Sequence, residues 1–272
     1  MRNAFFTSLC FFLLVATLLP VYALASEPDL ERVAEILSAQ RSALAAAKVY
    51  QPDDSDLRKR SPKGPRLYKQ TVSGAVLVST ESTVGSGVRV AKGLILTNFH
   101  VVQGNEDAAV LFWRPDLTDI PAVVALKPKD WVYAIVLDGD PIRDLALLAV
   151  DPKEVPAHST IIKFSRLSDV SIGQDVFAIG HPEGLFWSYT EGVVSQIRPN
   201  YAWKIKGVKH QATIIQTQTP ISFGSSGGPL FDQQGRLVGL NTWFRAAGLN
   251  FAVAVNEVTS FVFETISRHK KK

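Results

Sequence analysis

The chain holds one cysteine in 272 residues, Cys10, and it lies inside an apolar N-terminal run. An internal disulfide is therefore excluded, as is a cysteine-based zinc site. There is no H-E-x-x-H pair, so neither a metal nor a cofactor is expected. Helical patterns do not alternate with strand patterns, which argues against βαβ units and a doubly wound sheet, and no short internal repeat is visible. Charge of one sign is also scarce, with 29 Lys and Arg against 25 Asp and Glu. The basic residues gather in Arg58-Lys59-Arg60, Lys63, Arg66 and Lys69, and in Arg268-His269-Lys270-Lys271-Lys272. Such runs read as a solvated linker and tail, so no nucleic-acid partner is expected. What is present is a chain with 46% hydrophobic residues, long enough for one large domain or two small ones around a sizeable core.

Arg2, the apolar stretch Ala4 to Leu19, Pro20 and Ala23-Leu24-Ala25 have the order of a secretory signal peptide, with cleavage expected after Ala25. Cys10 sits too early for a lipoprotein. A periplasmic or secreted protein follows, without a stable membrane anchor once the signal is removed; an uncleaved signal acting as an anchor is the alternative. Leu30, Val33, Ala34, Leu37 and Leu44 predict a helix over 28–48. It is too short to be stable alone and must dock on the main domain or on another subunit. Residues 51–69, rich in Asp, Pro, Lys and Arg, read as a linker, so 26–69 forms an N-terminal helix and basic linker.

From Thr71 the pattern becomes short β runs punctuated by Gly, Pro, Asp and Asn. The first set is Gly74 to Ser79, Gly87 to Val90, Leu94 to Asn98, Ala108 to Trp113, Ala122 to Leu126, Val132 to Leu137 and Leu145 to Val150. The second set is Asp175 to Ile179, Gly192 to Ile197, Ala212 to Thr217, Pro229 to Phe231, Leu237 to Asn241 and Asn250 to Val255. Two sets of about six such strands predict an all-β fold of barrels or a sandwich. A last helix is expected over Glu257 to Ser267, capped by Asn256, ahead of a basic tail at 268–272.

Chemistry is concentrated in Ile221-Ser222-Phe223-Gly224-Ser225-Ser226-Gly227-Gly228-Pro229-Leu230. A serine hydroxyl needs a base to take its proton, an orienting group behind that base, and donors for the oxyanion. Glycines let a loop turn its amides inward. Taken singly, each of the five histidines, at 100, 158, 181, 210 and 269, reads more easily as structural or solvated than as that base. Asp144, at the mouth of the apolar run Leu145-Ala146-Leu147-Leu148, reads equally as a strand cap or as an ion pair with Arg143.

Together, Leu94-Ile95-Leu96-Thr97-Asn98-Phe99-His100-Val101-Val102, Arg143-Asp144-Leu145-Ala146-Leu147-Leu148 and Gly224-Ser225-Ser226-Gly227-Gly228-Pro229-Leu230 resemble the catalytic segments of trypsin-like serine proteases. The HtrA (Deg) family is the best match, with the chymotrypsin-fold order His, Asp, Ser. Gly85-Ser86-Gly87, Ala178-Ile179-Gly180-His181-Pro182, Thr190-Glu191-Gly192-Val193-Val194-Ser195, Ile214-Ile215-Gln216-Thr217, Gly239-Leu240-Asn241-Thr242 and Asn250-Phe251-Ala252-Val253-Ala254 support it, and it covers roughly 71–262. The resemblance implies two six-stranded β-barrels within a protease domain at 70–267, the first over about 70–160 and the second over about 161–256. It also implies a serine endopeptidase acting on polypeptides, with Ser226 as nucleophile, His100 as base and Asp144 as its orienting group. Gly224, Ser225 and Ser226 would form the oxyanion hole, and Ile221, Asn241 and Thr242 the substrate-binding positions. Apolar Ile221 implies an aliphatic residue before the scissile bond.

The chain departs from the family at Ser225 (usually Asn), Phe99 (usually small or polar), Gln218 (often Asp) and His181 (often Asn or Ser). The interval between Trp113 and Tyr133 looks elaborated, no PDZ domain is expected after the last helix, and the family's homotrimer would be the assembly. Two other readings compete. One is a catalytically silent relative that binds peptides or proteins. The other is an α/β-hydrolase, since Gly224-Ser225-Ser226-Gly227-Gly228 fits G-x-S-x-G, but that fold needs its Asp and His after the serine, and the only histidine that follows is His269, in a lysine-rich tail.

Overall fold

The computed structural model describes residues 63–115, 126–246 and 248–270. The expected signal peptide, the helix at 28–48 and, apart from Leu126, the strand at Ala122 to Leu126 lie outside them. Within the stretch expected as linker, Lys63–Thr71 forms a helix, α1. Its buried Leu67 joins the main apolar cluster, and Tyr68 sits edge-on to Tyr189 at 6.1 Å. The Lys and Arg side chains that gave this segment a linker's composition lie on the outer side of a docked helix.

Among the described residues twelve strands follow. The first six are β1 (Ala75–Ser79), β2 (Val84–Ala91), β3 (Leu94–Thr97), β4 (Asp107–Phe112), β5 (Val132–Asp140) and β6 (Leu145–Val150). They close into a barrel in the order β1-β2-β3-β6-β5-β4. The second six are β7 (Asp175–Gly180), β8 (Ser188–Ile205), β9 (Val208–Thr217), β10 (Pro229–Phe231), β11 (Leu237–Ala246) and β12 (Leu249–Ala254). They close in the order β10-β11-β12-β9-β8-β7. Every pairing in both barrels is antiparallel. The all-β fold with two six-stranded barrels is therefore the observed one.

Strand alternation explains the continuous apolar runs. In β1, Val76 and Val78 join Ile95, Val110 and Leu148 in one cluster, while Ala75 and Leu77 join Leu96, Leu147, Phe177 and Phe231 in another. Successive side chains point to opposite faces, so a strand buried on both faces has no polar positions to alternate. Val176, Ala178, Ile215, Leu230 and Ala252 form the corresponding cluster of the second barrel.

The barrels are tied together by long-range contacts. Trp187, between β7 and β8, is buried and donates its indole N–H to the Ala75 carbonyl in β1 at 3.0 Å. The C-terminal helix α3 (Val255–His269) follows the second barrel but returns to the first. Arg143 Nη2 meets Glu264 Oε2 at 2.5 Å, and Thr265 Oγ1 donates to Asp138 Oδ2 at 2.9 Å, with Arg268 on the same carboxylate. Val258, Phe261, Val262 and Ile266 seal the inner face of α3. The helix starts earlier than expected. Its N-cap is Ala254, without a side-chain cap bond, because β12 runs straight into it and the buried Val255 anchors its first turn. Asn256, the expected cap, lies inside the helix, and Glu257 accepts the Thr213 N–H at 2.9 Å.

Replacing Trp187 by Ala removes a fully buried ring and leaves the Ala75 carbonyl without its donor. A loss of about 3–5 kcal/mol is expected, read as a lower urea midpoint at unchanged m-value. A loss under about 1 kcal/mol would show that the barrels do not depend on this tie.

Candidate active site

β3 ends at Thr97, and one helical turn, α2 (Phe99–Val102), carries His100. The Phe99 ring lies against Gly139 of β5, where an added Cβ would come within 2.9 Å of it. That glycine is how the first barrel accepts a large residue beside His100. Asp144 lies in the tight turn between β5 and β6 with φ of 55°, is fully buried, and has its carbonyl bound by Asn98 Nδ2 at 2.9 Å.

The buried carboxylate is met by three donors. Oδ1 accepts the His100 backbone N–H at 3.0 Å. Oδ2 accepts His100 Nδ1 at 2.9 Å and the Thr242 hydroxyl of β11 at 2.6 Å. A buried charge is tolerated when hydrogen-bonded in this way. Because an ionised carboxylate only accepts, the proton on the imidazole sits on Nδ1, and Nε2 carries the free lone pair. Arg143 takes no part: it reaches Asp140 and Glu264, so the ion-pair reading of Asp144 does not hold.

The loop 221–228 is fixed carbonyl by carbonyl. Phe223 O accepts Glu183 N at 2.7 Å, Gly224 O accepts the Ser86 hydroxyl at 2.7 Å, Ser225 O accepts Gly228 N at 3.0 Å, and Ser226 O accepts Ser86 N at 2.7 Å. In a trans peptide the N–H points opposite to the C=O, so each carbonyl contact aims the following amide. The Ser225 N–H is used by Ser222 O and the Gly227 N–H by Asn241 O. Among the described residues, the N–H groups of Gly224 and Ser226 donate to no protein acceptor. Two glycines make this path possible. Gly224 has φ of +93° with the His181 carbonyl 2.3 Å from where a Cβ would stand, and Gly227 has φ of +82° with the Ser86 carbonyl at 2.1 Å.

Ser226 Oγ donates to the Thr242 carbonyl at 2.9 Å, and Thr242 in turn donates to Asp144. Behind the loop stands His181, fully buried, whose backbone N–H and Nδ1 both reach Ser86 Oγ, at 3.1 and 3.0 Å. Since the Ser86 hydrogen goes to Gly224 O, His181 Nδ1 is a donor. Burial lowers its pKa to about 3.

A family model described as a trypsin-like peptidase domain matches residues 85–240. The chain belongs to the trypsin-like peptidase family. It is 32% identical over 206 residues to a probable periplasmic serine endoprotease DegP-like of Pseudomonas fluorescens, covering 72% of this chain and 36% of that protein. With the serine protease Do-like HtrA of Bacillus subtilis it shares 31% over 199 residues, covering 70% of this chain and 40% of the relative. The chain thus spans under half the length of these curated relatives. Among solved structures, the serine endoprotease from Yersinia pestis superposes with a TM-score of 0.59 at 25% identity, over 76% of this chain and 68% of that one. The inactive form of a mutant M. tuberculosis H37Rv protein gives 0.59 at 21% identity, over 80% and 96%, a likeness of fold.

Within this peptidase fold, His100, Asp144, Thr242 and Ser226 form one chain of contacts, and Gly224, Ser225 and Ser226 lie on the loop beside it. Ile221 is half-buried at the start of that loop. Asn241 and Thr242, expected to touch substrate, are both buried; Asn241 pairs its backbone with Gly227 and Gly228 and so supports the loop from behind. The roles of Ser86 and His181 were missed, although Gly85-Ser86-Gly87 and Gly180-His181-Pro182 are both visible as motifs.

His181 makes acid stability a test of this network. Its folded pKa, about 3, lies below the usual 6.5, so the stability it contributes is whole above about pH 6.5 and is lost as pH falls toward 3. The unfolding free energy of the wild-type chain from urea titrations should fall more steeply than that of His181→Asn, by roughly 2–3 kcal/mol between pH 6 and 4. Parallel curves would mean that this imidazole takes up its proton without disturbing the fold.

Proposed function

We propose that the chain is a serine endopeptidase of the cell envelope that cuts unfolded or damaged polypeptides through an acyl-enzyme. The observation that carries this is the sequence of contacts from Asp144 to His100 Nδ1, with His100 Nε2 left as the base, beside two unengaged loop amides. Ser226 Oγ attacks the scissile carbonyl and gives its proton to His100 Nε2. Asp144 stabilises the imidazolium, and the Gly224 and Ser226 N–H groups receive the oxyanion. His100 then protonates the leaving amine, and water repeats the steps to release the acyl group. Half-buried Ile221 supports an aliphatic residue before the scissile bond. The envelope reading is supported by the signal-like N-terminus and by the periplasmic description of the Pseudomonas relative. Among the described residues no helix is long and apolar enough to cross a membrane.

One observation favours a second reading, a silent scaffold that binds polypeptides. The Ser226 hydroxyl is turned to the Thr242 carbonyl and not to His100. In the protease reading this is a resting rotamer, and Ser226 must rotate about χ1 before it can react, a change available on a fast timescale.

Casein digestion and labelling with a fluorophosphonate test the choice. The wild-type chain should cut casein and label, Ser226→Ala should do neither, and Asp144→Asn should lower kcat by roughly 10⁴-fold. Cuts located by mass spectrometry should follow aliphatic residues. A well-folded wild-type chain that neither cuts nor labels would leave the scaffold reading standing.

A further inference from the structure

β8 is far longer than its barrel needs. It pairs with β7 only over Ser188 to Val193, and β9 pairs with β12 only over Ile214 to Thr217. Beyond the bulge after Arg198, the stretch from Tyr201 to Ala212 is a two-stranded ribbon closed by a turn at Lys206-Gly207, with φ of 46° and 85°. Positive φ at both central residues marks the tight hairpin turn that matches strand twist. A lone two-stranded ribbon is marginal in water, so this one must be ordered by what it rests on.

It rests on the first barrel, at the two segments that hold His100 and Asp144. Lys206 Nζ donates to the His100 carbonyl at 3.2 Å and to Thr83 Oγ1 at 2.7 Å. His210 Nδ1 donates to the Pro141 carbonyl at 2.6 Å, and Gln211 N donates to the Ile142 carbonyl at 2.7 Å, three and two residues before Asp144. The inner face is seated by a cross-strand pair, Trp203 and His210, both buried with rings 5.3 Å apart. At the ribbon's base Tyr201 stacks with Trp243 and Phe251 of the second barrel. Fixing a lysine side chain on a carbonyl costs up to about 2 kcal/mol of rotamer entropy, and Lys206 also holds a non-glycine positive φ. Partial burial lowers its pKa, an effect that the charge of Asp144 opposes.

We propose that the β8–β9 ribbon is a strap thrown from the second barrel onto the first, and that Lys206 at its tip is a positioning residue for His100. The proposal rests on the peptidase reading above. Lys206 acts through the His100 backbone: it fixes the turn α2 relative to Asp144 and to the serine loop, so that the imidazole meets Ser226 at reacting distance. Misplacement of a catalytic group by even an ångström slows reaction strongly, and this strap is the direct mechanical link from the serine-bearing barrel to the histidine backbone.

The test compares the full wild-type chain with Lys206→Met, which keeps length and loses the donor, and with Lys206→Arg, which keeps charge and donors. Three quantities are read: the rate of Ser226 labelling by a fluorophosphonate, kcat and KM on a peptide cut by the wild type, and amide hydrogen exchange over 99–103. Lys206→Met should label about tenfold more slowly or worse. Its kcat should fall with KM within twofold, exchange over 99–103 should quicken, and Lys206→Arg should recover most of the rate. Wild-type rates and exchange in Lys206→Met would overturn the proposal. So would a loss carried by KM alone, since that describes a charge that holds substrate. A wild-type chain that does not label fails the peptidase reading instead, while the exchange measurement still reports on the strap.

Discussion

The carboxylate of Asp144 can be buried only because both barrels supply it with donors. His100, from the first barrel, gives a backbone and a ring N–H, and Thr242, from the second, gives a hydroxyl. Either barrel alone would leave a buried charge short of partners, at a cost of several kcal/mol. Association of the barrels and assembly of the site are therefore one event. The remaining devices, the Trp187 tie, the return of α3 and the ribbon at Lys206, hold the geometry that this carboxylate demands.

A second hub, Ser86, does for the serine loop what Asp144 does for the histidine. Through one residue the first barrel binds Ser226 O with its amide, Gly224 O with its hydroxyl, and Thr97 Oγ1 with its carbonyl. The position tolerates little: the neighbouring loop approaches so closely that only glycine fits at 227. The path of the serine loop is thus set in part by a strand far from it in sequence.

The two sets of short strands could be read from residues because their signals are local, whereas the two-barrel arrangement and the joint reading of the segments that hold His100, Asp144 and Ser226 rested on their resemblance to the HtrA family. Apolar runs, turn glycines and motif order need no knowledge of packing. The ribbon could not be read that way. Only Gly192 to Ile197 looked like a strand, because the following Arg198-Pro199-Asn200 signals a turn, yet β8 bulges there, with Asn200 at φ of 50°, and runs on to Ile205. What keeps it extended is the buried Trp203 and His210 face against the first barrel, a tertiary contact. The helix α1 was hidden for a similar reason: its composition is that of a linker, and only the burial of Leu67 makes it helical in context. Ser86 and His181 stood inside visible motifs, but their tasks depend on contacts 95 and 138 residues away.

The return of α3 to the first barrel has a consequence for the order in which the molecule comes into being. Asp138 precedes the turn that carries Asp144 and Arg143 lies within it, and their partners, Glu264, Thr265 and Arg268, come from the C-terminal helix α3. A chain that emerges N-terminus first holds its histidine and aspartate long before it holds Thr242, Ser226 or the helix that steadies their neighbours. Until nearly the whole domain has emerged, no half-made copy can present a complete site to the nascent chains around it. Delay in completing the site is built into the topology.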